Sequence, residues 1–427
     1  MKPMHNTRLL FIQCFLFFLC LNLSAQTTKH VVSKGETLYR ISVQHGTTVD
    51  ALLRLNPGVT PETLQEGQEL ILPHTQQSVG AQKKVAVILP LESNSLEGTR
   101  SVEFYRGLLM AANRLCSDGQ RIQINTYTET PKANSIDPIL EELAQLKPDM
   151  IVGPVYPSHF TKLSQFAEAN NSPLYIPFSS KAETIINHSQ VNLVNPPVNY
   201  RNKLLAHLLP ILFKDYRFTF LHYSQGDDGE LANELKKLLT ANKIVFTSFN
   251  ADAPIAQMHS AIPKNKATIV IPDSSRPEHV KDALNKMIQY HSSYPQRAVA
   301  LMGLMEWNDV LQAYDHSSLY ATDIFIPTTS AYNANDPQTQ AVEREYKKLF
   351  RTDLLATTPK MALLGYDMGM KLFGKGTQAD NYQETQSRIS FTPISKAGGK
   401  VLNSIFLYHY KPTQQIDLIS PKVDVSL

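Results

Sequence analysis

The stretch DMIVGPVYPSHFTKLSQFAEANNSPLYIPFSS, residues 149–180, decides the architecture of the chain. DMIVGP opens it as a short apolar strand closed by Gly153-Pro154, SHFTKLSQFAEAN follows as a helix, and PLYIPF returns to strand. A helical connection between two apolar strands is the signature of parallel pairing in a sheet covered on both faces. The same alternation extends in both directions. Upstream stand the apolar run VAVIL (85–89), a helix with Phe104, Leu108, Leu109, Ala112 and Leu115 on one face, the strand RIQINTYTE and the helix DPILEELAQL. Downstream come RFTFLHY, ELANELKKLL, IVFTSF, ATIVIP, HVKDALNKM, AVALMG and IFIPT. The pattern predicts an α/β fold with parallel sheets. The span from Lys84 to Leu427 is too long for one such sheet, so two lobes are expected.

Order and landmarks resemble the type I periplasmic binding proteins, the branched-chain amino-acid receptor family. The landmarks are VAVILPL, RGLLMAANRL, residues 149–180, LLGYDMGMKLFG and GGKVLNSIFLYHYK, within residues 84–412. The resemblance implies two α/β lobes, about three hinge crossings and a ligand cleft at the strand ends. It places Ser158, Ser179 and Ser180 where such receptors hold a ligand carboxylate. In the second lobe it puts Asp228 at a position usually aromatic, and Ser275, Arg276 and Met305 where an ammonium would be held. Capping of helices after parallel strands is the alternative role for the three serines.

A second unit precedes this body. In KHVVSKGETLYRISVQHGTTVDALLRLNPGVTPETLQEGQELILP, residues 29–73, His30-Val31-Val32 reads as a strand ended by Ser33-Lys34-Gly35. Thr37 is a helix N-cap, Gly46 a stop, Thr48 the start of a second helix, Pro57-Gly58 its end, and Glu69 to Leu72 a second strand. This small βααβ unit resembles a LysM domain. The resemblance implies binding of N-acetylglucosamine-containing glycan, chiefly peptidoglycan, by two loops: Gly35, Glu36, Thr37 and Leu38, and Leu55, Asn56, Pro57 and Gly58. Backbone amides and a hydroxyl suit acetamido groups, while Leu38 and Pro57 offer apolar contact to sugar faces. Residues 74–83 read as a linker and 413–427 as a C-terminal tail.

Residues 1–25 carry Lys2 and Arg8, the apolar run Leu9 to Leu21, and Ala25 at a small-residue exit. That is the pattern of a cleaved signal peptide, too short for a spanning helix, and it predicts a periplasmic or cell-envelope location. Phe17, Phe18 and Leu19 before Cys20 lack a lipobox. Cleavage would leave Cys116 as the remaining cysteine, read as a small buried residue. The formal charge of +3 would fall with loss of Lys2 and Arg8, and no basic stripe marks a nucleic-acid surface. No later segment is apolar enough to span a membrane.

Signals for catalysis are weak. GMKLFGKGT (369–377) has Gly376 where a phosphate loop needs Ser or Thr for magnesium. The chain lacks H-E-x-x-H, G-x-S-x-G and Cys-x-x-Cys, and His222, His279 and His291 have no ligand spacing. Trp307 reads as core. No catalytic residue, metal site or cofactor is expected. The reading that follows is a non-enzymatic envelope protein, LysM tethering a receptor-like body that docks a cell-wall synthase or hydrolase. The alternative is a solute receptor feeding a transporter or sensor.

Overall fold

The computed structural model describes residues 28–73, 82–91, 94–181, 185–224 and 229–421. The signal-peptide reading, most of the linker and the reading of Asp228 lie outside the described residues.

Strand β1 (Lys29–Val31) pairs antiparallel with β2 (Glu69–Ile71), and the helices Leu38–Gln44 and Val49–Leu55 lie between them in sequence. Both helices begin as their sequence requires. The Thr37 hydroxyl accepts from the Arg40 amide at 3.1 Å, and that of Thr48 from the Ala51 amide at 3.2 Å. Val32, Leu38, Ile41, Leu52, Leu70 and Leu72 form a small separate core.

The body runs β3 (Lys83–Leu89), β4 (Ile122–Thr128), β5 (Met150–Val152), β6 (Leu174–Ile176) and β7 (Val191–Leu193). It continues through β8 (Arg217–His222), β9 (Phe246–Asn250), β10 (Thr268–Pro272), β11 (Val299–Met302) and β12 (Ile324–Thr328). Four short strands end it: β13 (Phe391–Pro393), β14 (Lys400–Leu402), β15 (Phe406–Tyr410) and β16 (Ile416–Ile419). They build two sheets of seven strands, in the orders β13-β14-β7-β6-β5-β3-β4 and β16-β15-β12-β11-β10-β8-β9. Each sheet is the heart of one lobe. The chain passes between lobes after β7, after β12 and after β14, the three crossings expected.

The cores of both sheets are parallel, as expected, with antiparallel strands added late in the chain. β13 pairs antiparallel with β14, β15 with β12, and β16 with β15. These late strands are joined by short connections with no crossover helix, which permits antiparallel edges on a parallel core. Residues 416–419, within the segment read as a tail, are therefore an edge strand of the second lobe.

The first lobe closes on a tight helix pair. Leu96–Ser117 covers the sheet with Phe104, Leu108, Leu109, Ala112 and Leu115 buried, and Met361–Phe373 packs against it. A Cβ at Gly107 would lie 2.0 Å from the Ala362 carbonyl oxygen, and one at Gly365 would lie 2.0 Å from that of Phe104. Neither position admits a side chain without separating the backbones, which explains the glycines in RGLL and LLGYD.

The small unit is seated on this lobe. Tyr39 and Val43 belong to the same apolar cluster as Phe104, Leu108, Ile122 and Ile124. The Tyr39 ring meets Phe350 edge-on at 6.0 Å, and Arg351 pairs with Glu62 at 2.9 Å. Burial pushes the Tyr39 hydroxyl well above its ordinary pKa. Among the described residues no helix is long and apolar enough to cross a membrane.

Candidate functional site

The two loops of the small unit each cap a helix, the first at the start of Leu38–Gln44 and the second at the end of Val49–Leu55. Gly35 (φ +76°), Thr37, Pro57 and Gly58 (φ +87°) are exposed, and Leu55 keeps 39 % of its surface in solvent. Two residues expected on that face turn inward. Leu38 is 3 % exposed in the small core, because the first turn of its helix must cover Leu52 and Leu70. Its side chain is therefore turned away from the exposed loop surface. Asn56 is buried, donates from Nδ2 to the Leu52 and Ile71 carbonyls at 2.8 Å, and accepts from the Ile71 amide at 2.7 Å. It ties the second loop to β2, and its side chain is spent on the fold.

Glu36 braces the first loop by accepting from the Ser33 amide at 2.7 Å and contacting His30 Nε2 at 2.8 Å. Burial opposes these bonds but loses to them, so the carboxyl sits below its usual pKa. The exposed residues of the two loops are thus Gly35, Thr37, Leu55, Pro57 and Gly58.

In the body, a cavity of about 350 Å³ opens between the lobes at the hinge. The ends of β5, β6 and β7 supply Val155, Phe178 and Val194, and the helix Leu96–Ser117 supplies Glu97 and Arg100. From the segments after β7 and β12 come Arg201, Thr329, Thr358 and Ser387, and the first-lobe helix Met361–Phe373 supplies Met361. The walls are fixed by polar clamps. Gln386 accepts from the Lys360 amide at 3.0 Å and from the Ser330 hydroxyl at 3.1 Å, and donates to the Lys360 carbonyl at 2.6 Å. The Ser404 hydroxyl donates to the Thr329 carbonyl at 2.9 Å, joining the second crossing to the third.

Asp367, fully buried in the helix behind the cavity, accepts from the Tyr382 hydroxyl at 2.7 Å and the Thr385 amide at 2.8 Å. Burial pushes its carboxyl up to about 7 against those hydrogen bonds.

The serines expected to hold a carboxylate stand elsewhere. Ser158 is exposed and donates to the Pro131 carbonyl at 3.1 Å, stapling two loops. Ser179 accepts from the Lys181 amide at 3.1 Å, and Ser180 lines a wide neighbouring groove. The local reason is a buried pair. Glu129 accepts from the Val155 amide at 2.6 Å and contacts His159 Nδ1 at 2.7 Å, which rolls residues 155–159 so that Val155 faces the cavity. Burial pulls the His159 pKa down, but its bonds to Glu129 and the Lys132 carbonyl prevail and raise it.

Met305 is buried and borders an adjoining cavity, and Ser275 borders another. Trp307 is core, with Nε1 donating to the Ser274 carbonyl at 3.0 Å. Cys116 is half-buried, and burial raises its thiol pKa, which suits an inert residue.

Sequence reasoning missed Arg201. It stands near the start of the helix Val198–Leu212, where three cavities meet. Its Nε is buried with no hydrogen-bond partner, and among the described residues the guanidinium has no ion pair. Burial draws its pKa down and the Glu306 charge draws it up, with burial prevailing; an arginine stays charged regardless. A buried guanidinium nitrogen without a hydrogen-bond partner is a signal only three-dimensional structure displays. No group of three or more metal-binding side chains is found among the described residues.

Residues 30–73 match the LysM domain family. No curated protein sequence matches the chain. A putative branched-chain amino acid ABC transporter structure from Rhodospirillum rubrum matches with a TM-score of 0.53 at 12% identity, covering 79% of this chain and 100% of that one. A branched-chain amino acid ABC transporter periplasmic ligand-binding protein from Burkholderia xenovorans gives 0.45 at 13% identity, covering 80% and 96%. An ABC transporter substrate-binding protein from Desulfitobacterium hafniense gives 0.42 at 13% identity, covering 79% and 100%. The protein carries a LysM domain at residues 30–73 on a two-lobed body with the type I periplasmic-binding-protein-like fold.

Proposed function

We propose that this is a non-enzymatic, extracytoplasmic receptor fixed to peptidoglycan by its LysM domain, with a small-molecule site between the lobes of its body. Tethering rests on the LysM match and on the exposed face of Gly35, Thr37, Leu55, Pro57 and Gly58. A single shallow site of this kind gains strength from repetition along a polymer. The observation that carries the receptor reading is the interlobe cavity. Its size suits a small ligand, and its lining mixes apolar walls with a few charged and hydroxyl groups.

Docking of a cell-wall synthase or hydrolase was the sequence's first reading. The cavity favours a ligand, because its size and its mixed apolar and polar lining suit a small molecule. Leu55→Asp and Pro57→Asp should weaken co-sedimentation of the full chain with sacculi while leaving its thermal unfolding near that of the parent. Native mass spectrometry of protein purified gently from envelopes tests the body. A retained small molecule supports the receptor. A wall enzyme co-purifying with a cavity empty of small molecules sinks that reading and restores the docking one.

A further inference from the structure

Lys29, Lys162, Lys237 and Lys347 each pair with a carboxylate. A carboxylate keeps an ammonium protonated, and an ammonium has no lone pair with which to attack. Lys236 is placed differently. From the helix Glu230–Ala241 of the second lobe, its Nζ meets Nε2 of His222 at 3.0 Å and lies 4.7 Å from the centre of the Phe220 ring. His222 ends β8, and its Nδ1 meets Oδ2 of Asp273 at 2.7 Å, just beyond the end of β10. The other Asp273 oxygen accepts from the Tyr223 amide at 3.0 Å, which fixes the carboxylate. Because β8 and β10 are parallel neighbours, their ends bring carboxylate, imidazole and amine into sequence.

The order of these groups decides the chemistry. An ionised carboxylate only accepts, so a neutral imidazole carries its hydrogen on Nδ1 and turns the Nε2 lone pair to the amine. An imidazole aimed in this way takes a proton from a nucleophile as it reacts, and the carboxylate steadies the imidazolium that forms. Burial draws the Lys236 pKa down and the Asp273 charge draws it up, with burial prevailing. The side chain is half-buried, so a small reagent can reach it, whereas its exposed neighbour Lys237 has Glu234 as partner.

We infer that Lys236 is a reactive amine and an N-acylation site of the body, with His222 as its base and Asp273 holding that base in place. The co-reactant is a small activated acyl donor of the acyl phosphate class. The Nζ lone pair attacks the acyl carbonyl carbon, and a C–N bond forms. The bond from that carbon to the phosphate oxygen breaks, and phosphate leaves with the electron pair. The proton given up by Nζ passes to His222 Nε2 and from there to water. The product is a neutral amide on Lys236.

The test incubates the full chain with acetyl phosphate near neutral pH and follows acetylation of each lysine by peptide mass spectrometry. Lys236 is expected to react faster than Lys237 by about tenfold, although it is the less accessible of the two. His222→Gln and Asp273→Asn should each slow Lys236 by about tenfold and leave Lys237 unchanged. Thermal unfolding shows that the variants stay folded, and a variant that only loosens the second lobe would raise both rates together. A Lys236 rate at or below that of Lys237 in the parent overturns the reactive amine, whatever the variants do. Equal Lys236 rates in the parent and in folded His222→Gln and Asp273→Asn chains overturn the roles given to the imidazole and the carboxylate.

Discussion

The LysM domain and the interlobe cavity are the two candidate binding faces, yet they are assembled in opposite ways. The LysM face comes from two loops about twenty residues apart, the first shaped by N-cap Thr37 and Gly35, the second by C-cap Asn56 and Gly58. The cavity comes from residues at 97, 155, 178, 201, 329, 358 and 387, gathered by two sheets and three crossings. A local site is written in local chemistry; a site of the second kind is written in topology. The difference has mechanical consequences too, because the LysM domain leans on the body through Tyr39 and Val43 and does not hang free.

The largest expected effect tests how local the LysM site is. Leu38→Asp places a carboxylate in a core of six buried apolar side chains. Burying an unpaired charge costs several kcal/mol, more than so small a core can spare. Chemical-shift dispersion of the domain and sacculus binding should collapse together, while the body keeps its unfolding transition. If binding is lost with the domain still folded, Leu38 is a sugar contact after all.

Gly365→Ala probes the opposite kind of dependence. Its Cβ would stand 2.0 Å from the Phe104 carbonyl oxygen, so two backbones far apart in sequence must separate. Overpacking of this kind costs about 3 kcal/mol. Gly35→Ala meets nothing within 4 Å and suffers only its φ of +76°, at about 1 kcal/mol. Urea unfolding of the two variants orders them, and equal losses would mean that the helix pair relaxes more freely than its contacts imply.

These contrasts explain what the sequence disclosed. The strands VAVIL and ATIVIP and the helices around Leu108 and Leu143 follow from apolar runs and periodicity, and all are buried where expected. Thr37 and Thr48 were legible as caps because a cap is a relation across three residues. The direction of Leu38 and Asn56 was not, since facing inward depends on β2 closing the small core. The serines failed for a sharper reason. Ser158 belongs to a loop whose roll is set by Glu129, and no local pattern announces that Glu129 and His159 will be buried together. Arg201 looks like any helical arginine until the second lobe and the hinge surround it.

Acid and base should separate the two parts by sign. Asp367 has its carboxyl pushed up to about 7, well above an unfolded aspartate. Its contribution is therefore present in full below the unfolded value and is lost as pH rises through about 7, a change of about 2 kcal/mol between pH 5.5 and 7. Glu36 is lowered, so its contribution is present above the ordinary glutamate value and is lost as pH falls through its own depressed pKa. Thermal unfolding of the body should weaken toward alkaline pH, and Asp367→Asn should lower stability while flattening that slope. The LysM domain should weaken toward strong acid, read from its resolved amide signals. A body whose unfolding temperature is flat from pH 5.5 to 8.5 would mean that Asp367 stays ionised in its cradle of donors.

The smallest expected effect is none at all, and it tests the cavity most directly. Leucine and other neutral amino acids at millimolar concentration should give no thermal shift. A zwitterion in the cavity would need a partner for its ammonium among Phe178, Val194 and Met361. The acidic residue lining the cavity, Glu97, is exposed at the mouth, and Met305 is an apolar buried side chain. An ammonium buried without an acidic partner costs several kcal/mol, enough to cancel the gain at the carboxylate. Ligand at a hundred times its dissociation constant would stabilise the fold by about 2.7 kcal/mol, which unfolding measurements resolve easily. A saturable shift with leucine would show that the body satisfies both ends of the zwitterion and would break this reading of the cavity.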